Sequence, residues 1–295
     1  MAKIITLKID KKLEGKKVEA ILEKELGFSR SLIGKLKRMA GALSLDGKDV
    51  KMIDKVYLEN ELSITLDDSC KDSVIATNIP LDILYEDEDI IAVNKPHSMP
   101  VHPSGKNKDR TLANAVYYYL GHSSHIITRL DKDTTGVVLI AKNPHTAHLL
   151  TNSIKNGEIE KVYTAVINGV LSPKEGEIRL PIARSESNGM IRVVDKRGKE
   201  ALSFYKTLLS NGELSVVKLI PVTGRTHQLR VHMSHLKCPI YGDNMYGAPQ
   251  INERCRLHCG KISLRQPQSG EKLEITAEYA ADFIPEMLKR GRYNE

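Results

Sequence analysis

A chain of 295 residues and 32.9 kDa, 41% hydrophobic, has enough apolar material for one large domain and a small one. No run approaches the roughly eighteen consecutive apolar residues of a membrane span, and Met1-Ala2-Lys3-Ile4-Ile5-Thr6 lacks the regions of a signal peptide, so the chain is expected in the cytoplasm. A formal charge of +7 suits a polyanionic partner without requiring one, and with three Phe and no Trp any stacking on a base falls to the eleven Tyr.

In chain order, residues 15–26 carry Val18, Ile21, Leu22 and Leu26 at helical spacing and stop at Gly27. Ser29 can cap a second helix that runs through Leu32, Ile33, Leu36 and Met39, with Arg30, Lys35, Lys37 and Arg38 alongside as a basic stripe. Leu43 to Val50 reads as a hairpin about Asp46-Gly47. Two helices, a basic stripe and a hairpin resemble an S4-type RNA-binding module, which implies RNA contact by those four residues; the plainer reading of a charged helix face is a solvated one. The polar stretch from Asp67 to Ser73 reads as linker, giving an amino-terminal module (1–66), a linker (67–76) and a second domain (77–295).

From Ile79 onward, strands are expected at Ile90 to Val93, Val137 to Ala141, Val162 to Ile167, Ile191 to Val194, Leu202 to Leu208, Leu214 to Ile220, Leu257 to Leu264 and Leu273 to Ala277. Helices are expected after Thr111, after Pro144, where proline suits a first turn, and after Thr226. Strands following one another with few helices between predict a mainly antiparallel sheet with helices and loops around it. Cys255 and Cys259 flank Arg256-Leu257-His258, but on a strand His258 points away from the face that 255, 257 and 259 share, so no metal site is expected. His227 and His232, five apart, do not share a helix face well and read as ordinary helix histidines.

The most telling run is Arg129-Leu130-Asp131-Lys132-Asp133-Thr134-Thr135-Gly136, which sets two acids, a base and two hydroxyls on a turn before the apolar strand at 137–141. Charges at the mouth of a buried strand need partners or ligands to hold them there. Asp131-x-Asp133 imitates the nucleophile loop of haloacid-dehalogenase-type phosphotransferases, yet no apolar strand precedes it and no later acidic pair completes a Mg²⁺ site. An aspartic-protease loop needs Asp-Thr-Gly, and this one reads Asp-Thr-Thr-Gly.

Together with Ala141-Lys142, the run resembles the central motif of the RluA-like pseudouridine synthases, and three further blocks follow that family's order. They are Ile91 to Pro103 around Asn94-Lys95-Pro96; Lys161-Val162-Tyr163; and Thr223-Gly224-Arg225-Thr226-His227-Gln228-Leu229-Arg230-Val231-His232, followed by Gly242-Asp243 and Tyr246-Gly247. The resemblance spans about residues 77 to 285, with Thr128 standing where the family commonly has His. It implies an α+β domain whose long mixed sheet holds RNA in a central cleft, with the amino-terminal module in front.

On that resemblance the reaction converts uridine to its C-glycoside isomer and needs no redox cofactor or nucleotide; neither a phosphate-binding P-loop nor a Gly-x-Gly-x-x-Gly fingerprint occurs in the chain. Asp131 is the essential carboxylate, attacking the sugar at C1′, adding to the base at C6 or removing the C2′ proton. Arg225 is the family's candidate counter-ion, able to grip both carboxylate oxygens and keep them charged in a dry cleft. Tyr163 offers an aromatic face to the unstacked uracil and a phenol near C5. Arg129 and Lys161 contact RNA, Leu229 floors the base pocket or belongs to the core, and Thr134 and Thr135 hold the turn through bonds to backbone. The implied partner is RNA, ribosomal RNA before tRNA, for a monomer without cofactor or metal. The rival reading from another class is a non-catalytic RNA-binding or ribosome-assembly protein on the same fold, against which the intact Asp131, Tyr163 and Arg225 set argues.

Overall fold

A computed structural model describes residues 3–66, 74–105, 107–247 and 253–289 of the chain; the stretch from Asp67 to Ser73, read as linker, lies outside them. The first part builds a four-stranded antiparallel sheet in the order β1-β4-β2-β3, from β1 (Lys3–Lys8), β2 (Leu43–Leu45), β3 (Lys48–Asp49) and β4 (Glu61–Leu66). Asp46 and Gly47 both take positive φ, which makes the tight β2–β3 hairpin that Asp-Gly favours. The expected helix at 15–26 is shorter, α1 (Val18–Ala20), and continues as a π-helical turn over Ile21–Glu25. Helix α2 (Arg30–Leu36) starts where the Ser29 hydroxyl accepts from the Leu32 amide at 3.2 Å, and ends before Met39. Val18, Ile21, Leu22, Leu32, Ile33 and Leu36 turn inward onto Leu62 and Ile64, giving this part its own core.

The second part is an α+β domain around a mixed ten-stranded sheet, of which eight strands run in the order β10-β13-β14-β9-β15-β8-β6-β5. These are β5 (Ile83–Glu86), β6 (Ile90–Lys95), β8 (Thr135–Ala141), β9 (Glu160–Asn168), β10 (Glu175–Arg179), β13 (Leu202–Ser210), β14 (Leu214–Pro221) and β15 (Leu257–Arg265). Strand β7 (His125–Ile126) pairs with β8 and β16 (Lys272–Thr276) with β15, while β11 (Ile182–Arg184) and β12 (Arg192–Val194) form a separate ribbon. Among the described strands only β8 and β15 run parallel. Residues 90–93 and 137–141 are buried on both faces, as unbroken apolar runs require of central strands.

Helix α3 (Leu112–Leu120) opens on a reciprocal Thr111–Asn114 capping box and stops at Gly121 in the left-handed region; α4 (Pro144–Lys155) is capped by Asn143. Helix α5 (Gln228–His235) follows β14, and a short α6 (Glu286–Lys289) comes last. The two parts touch: Lys3 pairs with Asp89, and the Phe28 ring stacks on His145 of α4 with centroids 4.1 Å apart.

Candidate active site

The turn at 131–134 enters β8 beside the start of α5, and the cleft between them is lined by Leu130, Asp131, Lys161, Tyr163, His227 and Arg230, among others, with an empty volume of about 500 Å³. Three anchors fix the turn. The Thr134 amide donates to the Asp131 carbonyl at 3.2 Å. The fully buried Lys95, at the end of β6, donates to the carbonyls of Pro96, Met99 and Lys132 at 2.8–2.9 Å, tying the loop after β6 to the turn. Burial lowers the Lys95 pKa to about 8, against the pull of Asp133 and Asp131. The third anchor corrects an expectation. Thr135 bonds a side chain, His258 Nδ1 at 2.8 Å, rather than backbone, and the other ring nitrogen of His258 donates to the Ala277 carbonyl. Gly136 is required here: at φ +110 a Cβ would lie 2.2 Å from the Cys259 carbonyl oxygen on β15. Thr128 is absorbed by backbone, its hydroxyl accepting from the Leu139 amide at 2.9 Å.

The counter-ion of Asp131 is Arg230, not Arg225. Arg230 Nη1 lies 3.2 Å from Asp131 Oδ2, while Nε and Nη2 grip both oxygens of the buried Asp243 at 2.7 and 2.8 Å. Burial opposes the guanidinium charge, but Asp243 and then Asp131 outweigh it and raise the Arg230 pKa above its ordinary value. Arg225 is exposed at the mouth of the same cleft, where its Nε donates to the Glu200 carbonyl at 2.9 Å. The reason is the shape of the loop. Gln228 accepts from the Thr223 hydroxyl and the Arg225 amide and donates to Leu202 and Ser203 on β13, so residues 223–228 fold against the sheet with Arg225 outside. Arg230, one turn into α5, faces inward.

The other oxygen of Asp131, Oδ1, lies 3.8 Å from His227 Nε2. His227 is not a helix residue: it is the N-cap of α5, in the left-handed region at φ 57, which turns its ring out of the helical register and into the cleft. His232, inside the helix, bonds Ser203 and the Leu180 carbonyl. Opposite them, Lys161 and Tyr163 project from one face of β9. Burial raises the Tyr163 phenol well above its usual range, with Cys259 and Asp131 adding to it, and lowers the Lys161 ammonium. The buried Cys259 thiol is itself pushed up to about 12 by burial, so it stays neutral.

The residues from 89 to 235 match the family model described as RNA pseudouridylate synthase. The chain is 34% identical over 267 residues to an uncharacterised RNA pseudouridine synthase of Bacillus subtilis, covering 88% of this chain and 94% of that one. It is 37% identical over 278 residues to ribosomal large subunit pseudouridine synthase D of Borreliella burgdorferi, covering 89% and 83%. The chain belongs to the RluA-like family of RNA pseudouridine synthases. Two human structures, RNA pseudouridylate synthase domain containing 4 and domain containing 1, share its fold with TM-scores of 0.56 and 0.58 at 28% and 27% identity. Each covers 68% of this chain, and 89% and 84% of theirs are covered.

In this synthase the expected site residues do not all stand together. Asp131, Tyr163, Arg225, Arg129, Lys161 and Leu229 line one cleft, with Arg129 exposed at its mouth and Leu229 both lining the cleft and packed into the core. Arg30, Lys37 and Arg38 lie on the surface of the amino-terminal part with Lys35 half-buried beside them, and none of the four lines the cleft. Missed from the sequence were Arg230, His227, Asp243 and Lys95. Their signal was hidden: Gln228 to Met233 are all buried, where a charge such as Arg230 needs partners, but a stretch this polar does not announce its burial in the sequence. Among the described residues no group of side chains is arranged to hold a metal ion, and no helix is long and apolar enough to cross a membrane.

Proposed function

We propose that this synthase converts specific uridines of ribosomal RNA to pseudouridine, with Asp131 as the essential carboxylate and Arg230 as the ion that holds it. The observation that carries the reading is the Asp131–Arg230–Asp243 chain. One buried guanidinium, anchored by two bonds to Asp243, fixes Oδ2 of the only one of the two carboxylates that opens onto the cleft. The reaction breaks the N1–C1′ bond, joins C1′ to C5, releases the C5 proton and returns a proton to N1, so no atom is gained or lost. Tyr163 supplies the aromatic face on which the freed uracil turns. Burial keeps it a neutral phenol and disfavours the phenolate that would take the C5 proton. Lys161, Arg129 and Arg225 hold phosphates or neighbouring bases at the mouth, and Leu229 floors the pocket.

The choice of ribosomal RNA is supported by the relatives named for the large ribosomal subunit and by the two-part chain, in which residues 1–66 form an S4-like module that binds RNA through Arg30, Lys35, Lys37 and Arg38 ahead of the catalytic domain at 77–295. On this reading the enzyme acts as a cytoplasmic monomer. Mapping pseudouridines in total RNA from a deletion strain, and from the strain complemented with the wild-type chain, tests it. Loss and restoration of a site in the large ribosomal RNA is expected, whereas a site lost only from tRNA would overturn the choice of substrate.

A further inference from the structure

The two oxygens of Asp131 face different donors. Oδ2 meets the Arg230 guanidinium, a full charge shared with Asp243, and Oδ1 faces the Nε2 edge of His227. What that edge offers depends on the far side of the ring. There, Nδ1 lies 2.6 Å from the Tyr246 hydroxyl, and the same hydroxyl oxygen accepts the Arg192 backbone N–H of β12 at 3.0 Å. Tyr246 is buried, so its own proton needs an acceptor, and among the described residues the acceptor within its reach is His227 Nδ1. If the phenol donates, Nδ1 carries no proton and Nε2–H points at Asp131.

We propose that His227 is a positioning residue for the catalytic carboxylate, locked by Tyr246 as the neutral Nε2–H tautomer so that it presents one uncharged donor to Oδ1 opposite the Arg230 donor on Oδ2. The proposal rests on Asp131 being the reacting group. At 3.8 Å the donor stands just outside hydrogen-bond reach, and it closes when a flipped base displaces water from the cleft, as such contacts tighten only in the loaded site. The neutral form has a purpose. A second full cation on Asp131 would stabilise the carboxylate and weaken it as nucleophile or base, whereas an uncharged N–H orients it at little cost in reactivity. Burial lowers the His227 pKa against the opposing pull of Asp131, in keeping with a neutral ring. The left-handed backbone at 227 serves the same end, since it takes the residue out of the helical register at the head of α5, where its side chain lines the cleft.

Two measurements on the full chain decide this. In ¹⁵N-histidine-labelled protein at pH 7, with His227 assigned by the signals missing from His227→Gln, Nδ1 should appear unprotonated and Nε2 protonated, and Tyr246→Phe should move the ring toward a mixture. A proton on Nδ1, or on both nitrogens, overturns the proposal whatever the RNA substrate. The second measurement is single-turnover tritium release from [5-³H]uridine-labelled large-subunit ribosomal RNA. His227→Leu should slow release roughly a hundredfold with RNA affinity unchanged, the scale of a misplaced reacting group. His227→Gln, whose amide N–H reaches the place of Nε2–H, should recover to within about tenfold of wild type, the worth of one neutral hydrogen bond. Both variants carry the same left-handed strain, so equal rates for Leu and Gln would overturn the proposal. No release by the wild type would count instead against the choice of ribosomal RNA, leaving the ring-nitrogen result to decide the role of His227.

Discussion

Two arginines mark the difference between the two parts of this protein. Arg230 in the cleft has a side chain 7% exposed, held by two carboxylates; Arg30 on α2 has one 93% exposed and meets Glu23 at 3.3 Å on an open surface. A buried charge with fixed partners sets geometry, and losing a partner costs several kcal/mol. An exposed charge adapts to what arrives and contributes affinity that salt screens. The cleft is therefore where substitutions should change chemistry, and the basic stripe of the amino-terminal part is where they should change binding alone.

The sharpest break of that comparison is at Arg230 itself. Arg230→Met leaves Asp243 buried and unpaired and should destabilise the protein by roughly 3–5 kcal/mol, seen as a lowered urea midpoint, with activity lost. Arg230→Lys keeps the charge without the fork, so it should fold yet react roughly a hundredfold more slowly in single turnover. Arg225→Gln, at the cleft mouth, should raise KM with kcat nearly unchanged. If Arg225→Gln proves the slower enzyme at saturating RNA, the counter-ion assignment falls.

Lys95 comes next. Lys95→Met strands three carbonyls that its ammonium now satisfies, at about 1–3 kcal/mol for each group left buried and unpaired, and frees the 131–134 turn. Both thermal stability and kcat should fall together; a stable variant with wild-type kcat would show that the turn holds itself.

Replacing Arg30, Lys35, Lys37 and Arg38 with Gln should weaken RNA binding and flatten the slope of log affinity against log salt by about 0.7–0.9 for each phosphate no longer neutralised, leaving the chemical step at saturation alone. An unchanged slope would reduce the stripe to a solvated face.

An effect that shows only in acid, and vanishes at neutral pH, lies where the two parts meet. His145, buried against Phe28, has its pKa pushed down to about 4 by burial, against an ordinary 6.5 in the unfolded chain. Below pH 6.5 the unfolded state takes the proton first, so stability present above that pH should drain away as pH falls toward 4, by on the order of 1 kcal/mol per unit. His145→Gln should lose that part of the acid slope in thermal melts, and an identical slope would exclude His145 as its source.

What the sequence revealed and what it hid follow from the kind of signal each residue leaves. The central strands at 90–93 and 137–141 are unbroken apolar runs and were legible, as were the helices starting after Thr111 and at Pro144, whose caps lie in the adjoining residues. Strands β1, β5, β7, β10 and β11 were missed because they are short or half-exposed and their burial is partial, whereas β4, also missed, alternates cleanly from Glu61 to Leu66 with Leu62, Ile64 and Leu66 buried and was there to be read. The π-turn at 21–25 keeps its apolar residues near helical spacing, so nothing in the pattern betrays it. The motif 223–232 located the right stretch but not the right arginine. Which of Arg225 and Arg230 faces Asp131 depends on how Gln228 staples the loop to β13, a bond between residues 25 and 26 positions apart. His227 was misjudged because helical spacing was applied to a residue whose left-handed φ takes it out of the helix.

The claim that Asp131 carries the chemistry is tested most directly by Asp131→Asn in single-turnover tritium release from [5-³H]uridine-labelled ribosomal RNA, with binding measured on the same RNA. The amide keeps the shape, and Arg230 keeps its two bonds to Asp243, so the variant should fold and bind as the wild type does while releasing no tritium. Release within roughly tenfold of the wild-type rate would contradict the account, because a group essential to bond breaking cannot lose its charge at so small a cost.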